Sequence, residues 1–293
     1  MALATDGSLY SCGKNQFGQL GLGHTRKSVP SLTPVPLPHR VTAIGCAGNL
    51  SMALTSSGEL YSWGHHYERL SPSDARPGRV EGISDVVQFA CGNAHRLALT
   101  RSGELYAWGS NESGQLGTGQ GSVRASPCKV PHLPHPVIQI ACGLSHSAAC
   151  LSDGSLYVWG KSSGQLRSAE QGHPARVSGI EGEVIEISCG QYTTMAITSS
   201  YDLYGWGDNS VGQLGDGGCV GSVVPLRINV LRDKGEIYFK RDYLRMVEFW
   251  PKSHYQFLRM NQQVVEEVLI ILNLCCIPKD IVLYSVKLIL LLS

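Results

Sequence analysis

A repeating unit constrains the fold of this chain more than any other feature of its sequence. Leu-Tyr pairs recur at intervals of 51, 45, 51 and 47 residues, with their tyrosines at Tyr10, Tyr61, Tyr106, Tyr157 and Tyr204. Four cysteines each precede a tyrosine of this series by fifteen residues. They are Cys46, Cys91, Cys142 and Cys189. Spacing that is fixed inside a unit and variable between units indicates packed supersecondary units joined by surface loops, as in solenoids and propellers.

Each unit has the pattern of short strands, most clearly in the fourth copy, residues 137–160. The runs "VIQIAC" and "HSAACL" are typical of two strands, and "SLYVWG" is typical of a third after the turn residues Ser152-Asp153-Gly154. A fourth strand is predicted around residues 175–180. Each unit is therefore predicted to form one four-stranded antiparallel sheet.

The turn between the second and third strands carries a glycine in four copies but not in the fifth, where Tyr201 takes its place. Glycine is favoured in such turns because it adopts positive φ without steric cost. The fifth copy must therefore either hold Tyr201 at an unfavourable φ or use a different turn.

A four-stranded sheet cannot bury both of its faces alone, so the copies must stack, and radial stacking gives a propeller. A linear solenoid is the main alternative. The repeated aromatic residues are predicted to fill the space between sheets, the glycines to permit tight turns, and the cysteines to be free and buried. These structural positions are Trp63, Trp108, Trp159, Trp206, Tyr10, Tyr61, Tyr106, Tyr157, Tyr204, Gly109, Gly114, Gly207, Gly212, Cys46, Cys91, Cys142 and Cys189.

Composition argues against several classes of protein. The net charge of +1 gives no electrostatic sign of nucleic-acid or anionic-membrane binding. The 34 glycines, with only 16% charged residues, suit a turn-rich β protein. The repeated cysteines lack the spacing of a zinc site, which favours free thiols in a reducing compartment, cytoplasmic or nuclear.

No motif of catalysis or cofactor binding is found. The glycine-rich stretch "WGSNESGQLG" (108–117) continues with Gln-Leu where a phosphate-binding loop needs Lys and Ser or Thr. It also lacks the following helix that a dinucleotide site needs. The sequence contains neither Gly-x-Ser-x-Gly nor His-Glu-x-x-His. We therefore predict a protein that is not an enzyme and has no catalytic, cofactor or metal site.

The pattern "CGxxHxxALxxxGxLY" followed by "YxWGxNxxGQLG" resembles the repeat of the regulator of chromosome condensation family. Two copies match it almost completely, "WGSNESGQLG" and "WGDNSVGQLG" (206–215), and the resemblance extends over residues 1 to about 230. It implies a seven-bladed propeller. It also implies one of three roles: an interaction platform, a guanine-nucleotide exchange factor for a small GTPase, or a ubiquitin-ligase component.

The resemblance also points to a partner face. In the family's exchange factors, polar and often acidic residues fill the short turn between the Gly and the His of "CGxxH". The matching pairs here are Asn93-Ala94, Leu144-Ser145 and Gln191-Tyr192, and none contains an acid. A platform is therefore preferred to an exchange factor. The predicted partner-face residues are Asn93, His95, Leu144, His146, Gln191 and Tyr192, with the two histidines interpreted as structural hydrogen bonders.

The number of units falls short of seven. Four complete units and an initial half unit predict an all-β fold, an incomplete β-propeller of about four and a half to five four-stranded antiparallel blades over residues 1–232. Three explanations stay open: a closed five-bladed ring, a ring completed by another chain, or truncation of a longer sequence, which we favour. The strand-like "GEIYFKRDY" (235–243) is a candidate to complete the first blade.

Residues 233–293 form a different region, predicted to begin as a strand and continue as a short helical hairpin. Its helices are "NQQVVEEVLIILNLCC" (261–276) and "KDIVLYSVKLILLLS" (279–293). Pro278 and several charged residues interrupt its apolar runs, which argues against a membrane span. The stretch "IPKDIVLYSVKLILLL" resembles, weakly, the opening helix of an F-box, which would imply a ubiquitin-ligase substrate adaptor.

Overall fold

The computed structural model describes residues 1–65, 75–119, 121, 123–161 and 172–228. In these ranges the chain forms five antiparallel sheets, each built from consecutive strands. Sheet 1 contains β1 (Ala2–Leu3), β2 (Leu9–Lys14) and β3 (Ser28–Val35). Sheet 2 contains β4 (Val41–Ala47), β5 (Leu50–Thr55), β6 (Leu60–Gly64) and β7 (Gly78–Arg79). Sheet 3 contains β8 (Val86–Cys91), β9 (His95–Thr100), β10 (Leu105–Gly109) and β11 (Arg124–Lys129). Sheet 4 contains β12 (Val137–Cys142), β13 (His146–Leu151), β14 (Leu156–Gly160) and β15 (Ala175–Arg176). Sheet 5 contains β16 (Val184–Cys189), β17 (Thr193–Thr198), β18 (Leu203–Gly207) and β19 (Ser222–Arg227).

The predicted all-β fold is confirmed. Four sheets have four strands in chain order, and sheet 1 has three. The fourth copy folds as its sequence predicts, with β12 to β15 in the expected places. The first strand of sheets 2 to 5 contains a β-bulge one residue after its start, as at Ile138 in sheet 4. The architecture is that of an incomplete propeller of four complete blades and one partial blade.

Hydrophobic clusters lie between successive sheets and join them in pairs. Trp63 packs between sheets 1 and 2, and Trp108 between sheets 2 and 3. Trp159 and Trp206 do the same for the next two pairs. All four indole side chains are at most 3% exposed. Because burial of an aromatic side chain contributes about 2–3 kcal/mol, these tryptophans account for much of the cohesion between blades.

A backbone carbonyl in the loop of one sheet fixes the tryptophan of the next. The Trp159 indole N–H donates to the Gln115 carbonyl at 2.9 Å, and the Ser147 hydroxyl donates to the same oxygen at 2.8 Å. Trp63 and Ser51 make the matching bonds to the Gln19 carbonyl, at 3.1 and 2.8 Å. We call this arrangement the glutamine carbonyl clamp. It makes the "GQL" loop of one blade part of the next blade's core.

Glutamine side chains also link the first strands of neighbouring sheets. The Ile140 N–H donates to Gln88 Oε1 at 3.2 Å, and Gln88 Nε2 donates to the Ile140 carbonyl at 3.4 Å. Gln139 makes the same pair of bonds to Ile187, at 2.9 and 3.5 Å. Each side chain thus satisfies one N–H and one C=O that the neighbouring first strand turns away from its own sheet.

The repeated cysteines follow one another on neighbouring first strands, but they are less uniformly buried than the sequence predicts. Cys46 is exposed, whereas the other three are half-buried. Desolvation of the enclosed thiols raises the pKa of Cys91 and of Cys189 to about 12, so neither is a reactive thiolate. The prediction is wrong for Cys46. The three strands of sheet 1 correspond to the second, third and fourth strands of the other sheets. Among the described residues, sheet 1 therefore has no first strand beside Cys46 to cover its thiol.

The predicted helices of the C-terminal region and the segment 235–243 lie outside the described residues. So does the predicted domain boundary at residue 232, which stays a prediction. Within the described ranges, no hydrophobic cluster joins sheet 5 to sheet 1.

Tyr201 keeps the turn of the other copies at the cost of an unfavourable backbone conformation. Its φ is +63°, close to the +75° of Gly154 at the matching position. Its N–H donates to the Thr198 carbonyl at 2.7 Å, the same turn bond that Gly154 makes to Leu151. The first of the two alternatives is therefore confirmed.

Replacing Tyr201 by glycine should stabilise the protein. A left-handed conformation costs a non-glycine residue about 1–2 kcal/mol, and the extra freedom of glycine in the unfolded chain offsets part of this gain. We expect Tyr201→Gly to raise the free energy of unfolding by about 0.5–1 kcal/mol in urea denaturation. The reverse change, Gly103→Ala, should destabilise, because its Cβ would lie 2.6 Å from Pro136 Cβ. A Tyr201→Gly protein less stable than the wild type would contradict this account of the turn.

Candidate protein-interaction face

The turns between the first and second strands of sheets 2 to 5 lie at the same end of each sheet. We call this end the turn face. It comprises residues 48–49, 92–94, 143–145 and 190–192, and the loops that follow the third strands lie beside it. Repetition of the blade therefore places four short turns side by side.

Backbone hydrogen bonds hold these turns rigidly. The Gly143 N–H donates to the His146 carbonyl at 2.8 Å and closes the turn. The Ser145 carbonyl then accepts from the Lys161 N–H at 2.8 Å, which ties the turn to the loop after β14. Sheets 3 and 5 repeat both bonds. A bond of 2.9 Å from the Leu144 N–H to the Gln191 carbonyl connects two neighbouring turns.

His95 and His146 lie beneath the turns and not on their surface. They are 0% and 2% exposed. His95 Nε2 is hydrogen-bonded to Ser147 Oγ at 2.9 Å, and His146 Nε2 to Thr194 Oγ1 at 3.1 Å. Each bond crosses to the second strand of the next sheet. Gly92 provides the necessary space, because a Cβ there would lie against the His95 ring.

Burial keeps both imidazoles neutral. Desolvation lowers the pKa of His95 to about 3, with a further contribution from the nearby His146 and Arg96. Desolvation lowers the pKa of His146 to about 4. Neutral rings with a hydrogen bond to the next sheet are structural connectors.

The other four predicted partner-face residues remain accessible. Asn93 and Gln191 are exposed, Tyr192 is 39% exposed and Leu144 is half-buried. None of them carries a charge. The six residues therefore divide into a displayed set of four and a supporting pair of histidines.

Sequence reasoning missed the asparagine that organises the adjacent loops. Asn111 is 3% exposed, accepts from the Leu116 N–H at 3.0 Å and donates to the Gly119 carbonyl at 2.8 Å. Asn15 and Asn209 do the same in the loops of sheets 1 and 5. The signal was present in the sequence, because "WGxN" or its equivalent occurs in copies one, three and five.

A series of ion pairs at the opposite end of the sheets was also missed. Glu59 contacts Arg79 at 3.3 Å, and Glu104 contacts Lys129 at 2.6 Å, in each case joining the turn before the third strand to the fourth strand. Asp202 and Arg227 repeat this pair in sheet 5 at 2.7 Å. The exposed Glu104–Lys129 pair contributes little to stability, whereas Asp202 of the third pair is buried.

No group of His, Cys, Asp and Glu suited to binding a metal ion is present in the described part of the chain. In the same residues, no helix has the length and apolar character that crossing a bilayer requires.

Comparison with known proteins decides the family. The model of the RCC1-like domain matches residues 1–241. The chain belongs to the RCC1-like domain family. The resemblance inferred from the repeats is therefore confirmed.

The relatives of this RCC1-like chain differ in what they do. It is 33% identical over 184 residues to the mouse E3 ubiquitin-protein ligase HERC2, which covers 56% of this chain but only 4% of HERC2. The crystal structure of human WBSCR16 is similar with a TM-score of 0.68 at 25% identity, covering 77% of this chain and 63% of that one. Prp20p of Saccharomyces cerevisiae, described with its binding to Gsp1p and histones, matches with a TM-score of 0.67 at 21% identity, covering 78% and 60%. The chain thus spans a small part of HERC2 and about three-fifths of the two solved chains.

Removing the buried loop asparagine should destabilise the protein. Asn111→Ala leaves the Leu116 N–H and the Gly119 carbonyl without their partner, and each such loss costs about 1–3 kcal/mol. We expect the free energy of unfolding to fall by about 2–4 kcal/mol in urea denaturation. Glu112→Ala, at the exposed next residue, is the control and should change it by less than about 0.5 kcal/mol. Equal stability of the two variants would show that the loop does not depend on Asn111.

The buried histidines predict a loss of stability in mild acid. Both have a pKa below the 6.5 of an unperturbed histidine, so below pH 6.5 the unfolded chain binds protons that the folded protein does not. The contribution of His146 is fully present above pH 6.5 and decreases, by up to about 1.4 kcal/mol per pH unit, as the pH falls towards about 4.

His146→Gln, which keeps a donor for Thr194, should therefore show a smaller decrease in stability between pH 6.5 and 4.5. The measurement is urea denaturation at several pH values. Asn93→Gln, at an exposed residue without a titratable group, is the control and should retain the wild-type dependence. An unchanged pH dependence in His146→Gln would show that this histidine is not buried neutral.

Proposed function

We propose that this chain is a non-enzymatic protein-interaction platform, and that the turn face binds the partner. The observation that carries the proposal is the contrast between neighbouring residues in the turns of sheets 3 and 4. His95 and His146 are buried and hydrogen-bonded to the next sheet, whereas Asn93 and Leu144, just before them, remain accessible. A rigid backbone that presents side chains at regular spacing suits recognition of another protein's surface, because little conformational freedom is lost on binding.

The displayed residues suit a partner surface of neutral polar and apolar character. Asn93 and Gln191 offer amide donors and acceptors, and Tyr192 and Leu144 offer apolar area. Aromatic residues are enriched where interfaces bury most surface, and uncharged residues avoid the cost of desolvating an unpaired charge. The absence of carboxylates from the turns of residues 48–49, 93–94, 144–145 and 191–192 is the reason that exchange of guanine nucleotides is not our first proposal.

Two narrower roles remain as alternatives. Exchange activity on a small GTPase is a role that the resemblance of the repeats implies. A ubiquitin-pathway role would follow the example of the E3 ubiquitin-protein ligase HERC2. The first is tested by nucleotide release from a panel of small GTPases. The second is tested by binding to ligase scaffold proteins with and without residues 264–293. An intracellular location, cytoplasmic or nuclear, stays a prediction from the sequence.

The platform proposal is tested at the two ends of one strand. Asn93 follows β8 on the turn face, and Ser84 precedes β8 at the opposite end, and both are exposed. Partners captured from cells by cross-linking would be purified, and their affinity for each variant would be measured by calorimetry. We expect Asn93→Arg to weaken binding by at least about tenfold, and Ser84→Arg to change it by less than about twofold.

Leu144→Arg provides an independent probe on the neighbouring turn and should weaken the same partner. The proposal fails if both turn-face variants bind every purified partner like the wild type, or if only Ser84→Arg reduces binding. Acceleration of nucleotide release by the wild-type protein would replace the platform with an exchange factor.

A further inference from the structure

The loop that follows the third strand of sheet 5 has the same internal structure as the loops of sheets 1 and 3. The Leu214 N–H donates to Asn209 Oδ1 at 2.9 Å, and the Gly215 N–H donates to the Gly212 carbonyl at 3.1 Å. The same two bonds measure 3.0 and 2.9 Å in the loop of sheet 1 and 3.0 Å each in that of sheet 3. The loop backbone around Gln213 is therefore folded as it is in a glutamine carbonyl clamp.

The surroundings of this loop differ from those of the other two. A Cβ at Gly21 would lie 2.7 Å from Trp63 Nε1, and one at Gly117 would lie 2.9 Å from Trp159 Nε1, because the next sheet's indole packs against each of these buried glycines. Gly215 occupies the matching position in sheet 5 and is exposed. Apart from its chain neighbours, no described atom lies within 4 Å of the place where its Cβ would be. The place that an indole takes in the other two loops is thus accessible here.

An exposed apolar side chain lies on the same loop. In sheet 1, Phe17 contacts the following sheet, since its ring stacks on His65 with 5.3 Å between the ring centroids. Val211 occupies the position of Phe17 in sheet 5 and is 60% exposed. We call Val211, Gln213 and Gly215 the open clamp.

The two complete clamps define the ligand that fits such a loop. In each of them one carbonyl accepts from an indole N–H and from a serine hydroxyl. The two donors are paired directly across adjacent strands, Ser51 with Trp63 and Ser147 with Trp159. They are twelve positions apart in the sequence and belong to one hairpin. The complementary element is therefore a β-hairpin with a tryptophan directly opposite a serine or threonine.

The sequence of this chain offers no spare hairpin of that kind. The four tryptophans of the described residues are all buried between other pairs of sheets. Sheet 1 has Cys12 at the position of the tryptophan. Trp250 has Tyr238 twelve positions before it and Pro251 after it, so its sequence lacks both the hydroxyl of serine or threonine and the glycine of the repeat. A second copy of the chain has the same residues, which favours a different protein as the source of the ligand.

We propose that the open clamp binds a β-hairpin of a partner protein that carries a tryptophan opposite a serine or threonine. The partner's indole N–H and hydroxyl donate to the Gln213 carbonyl, and the indole ring packs against Gly215. The residue that follows the partner's Trp-Gly packs on Val211, as His65 does on Phe17. The loop is already held by its own hydrogen bonds, so little conformational freedom is lost on binding. This site is distinct from the turn face, because it consists of one loop with its own ligand.

A hairpin taken from a complete clamp is a suitable probe. It is the peptide of residues 146–160 with Cys150→Ser, closed through a D-Pro-Gly turn, because an isolated hairpin is only marginally stable. Closure is possible since His146 and Gly160 pair across the strands. The probe would be titrated into the full chain, with calorimetry and the NMR signal of its indole N–H as measurements, after NMR of the free peptide has verified the hairpin.

We expect saturable binding of one probe per chain, with a shift of the indole N–H signal. The Trp159→Phe peptide keeps an aromatic ring but lacks the N–H, and should bind at least about fivefold more weakly. If the folded probe does not bind at about 1 mM, or if both peptides bind equally, the proposal is wrong.

A matched pair of glycine substitutions locates the binding site. Gly215 and Gly217 are both exposed, have φ of +68° and +86°, and have no described atom within 4 Å of a Cβ apart from their chain neighbours. Asparagine tolerates this left-handed conformation. Gly215→Asn puts a side chain where the indole packs and should weaken the probe at least about tenfold, whereas Gly217→Asn should change its affinity by less than about twofold.

Two further measurements make this comparison decisive. Hydrogen exchange in β17 and β18 verifies that sheet 5 remains folded in both glycine variants. Asn93→Arg, on the turn face, should bind the probe like the wild type, so that failure of the platform proposal and failure of this one can be told apart. Equal affinity of the two glycine variants with a folded sheet 5 would overturn the assignment of the open clamp.

Discussion

The constraint on which this structure depends is that each small sheet has two apolar faces and cannot cover either by itself. Each sheet therefore needs a neighbour on both sides, and the buried tryptophans between the sheets provide most of the contact. Hydrophobic burial is not directional, so by itself it does not fix the position of one sheet relative to the next. The glutamine carbonyl clamps and the glutamine side chains between first strands set the register, because each bond is satisfied in one relative position only.

Much of this fold could be predicted from the period alone. The strands of the fourth copy and the inward tryptophans follow from local pattern, and the positive φ at Tyr201 is one of the two alternatives that the sequence left open. The exposure of Cys46 did not follow, because the pattern of a strand does not tell whether a neighbouring strand is present to cover it. The role of Asn111 was also missed, because an asparagine in a glycine-rich loop is compatible with any turn until the partners of its amide are known.

The candidate site was predicted in part, and the reason lies in strand geometry. Asn93 and His95 are two residues apart, and both belong to the turn motif that the resemblance indicated. At His95 the chain has entered β9, where side chains point alternately to the two neighbouring sheets, and this position points into a core. The same short motif therefore contains one residue that is accessible to a partner, Asn93, and one that is buried and bonds to the next sheet, His95. Sequence alone does not separate them, because both are polar and suited to hydrogen bonding.

The glutamine carbonyl clamp has a consequence for how a chain of this kind can change in length. The loop of one blade is completed by the tryptophan of the following blade, so the smallest self-sufficient piece straddles two sheets. A duplication or deletion that begins and ends at sheet boundaries would separate every clamp at its junctions from the indole it holds. Gain or loss of a blade is tolerated best when the breakpoints fall within a sheet, between its tryptophan and the loop that follows its third strand. Each loop then stays together with the tryptophan of the next sheet.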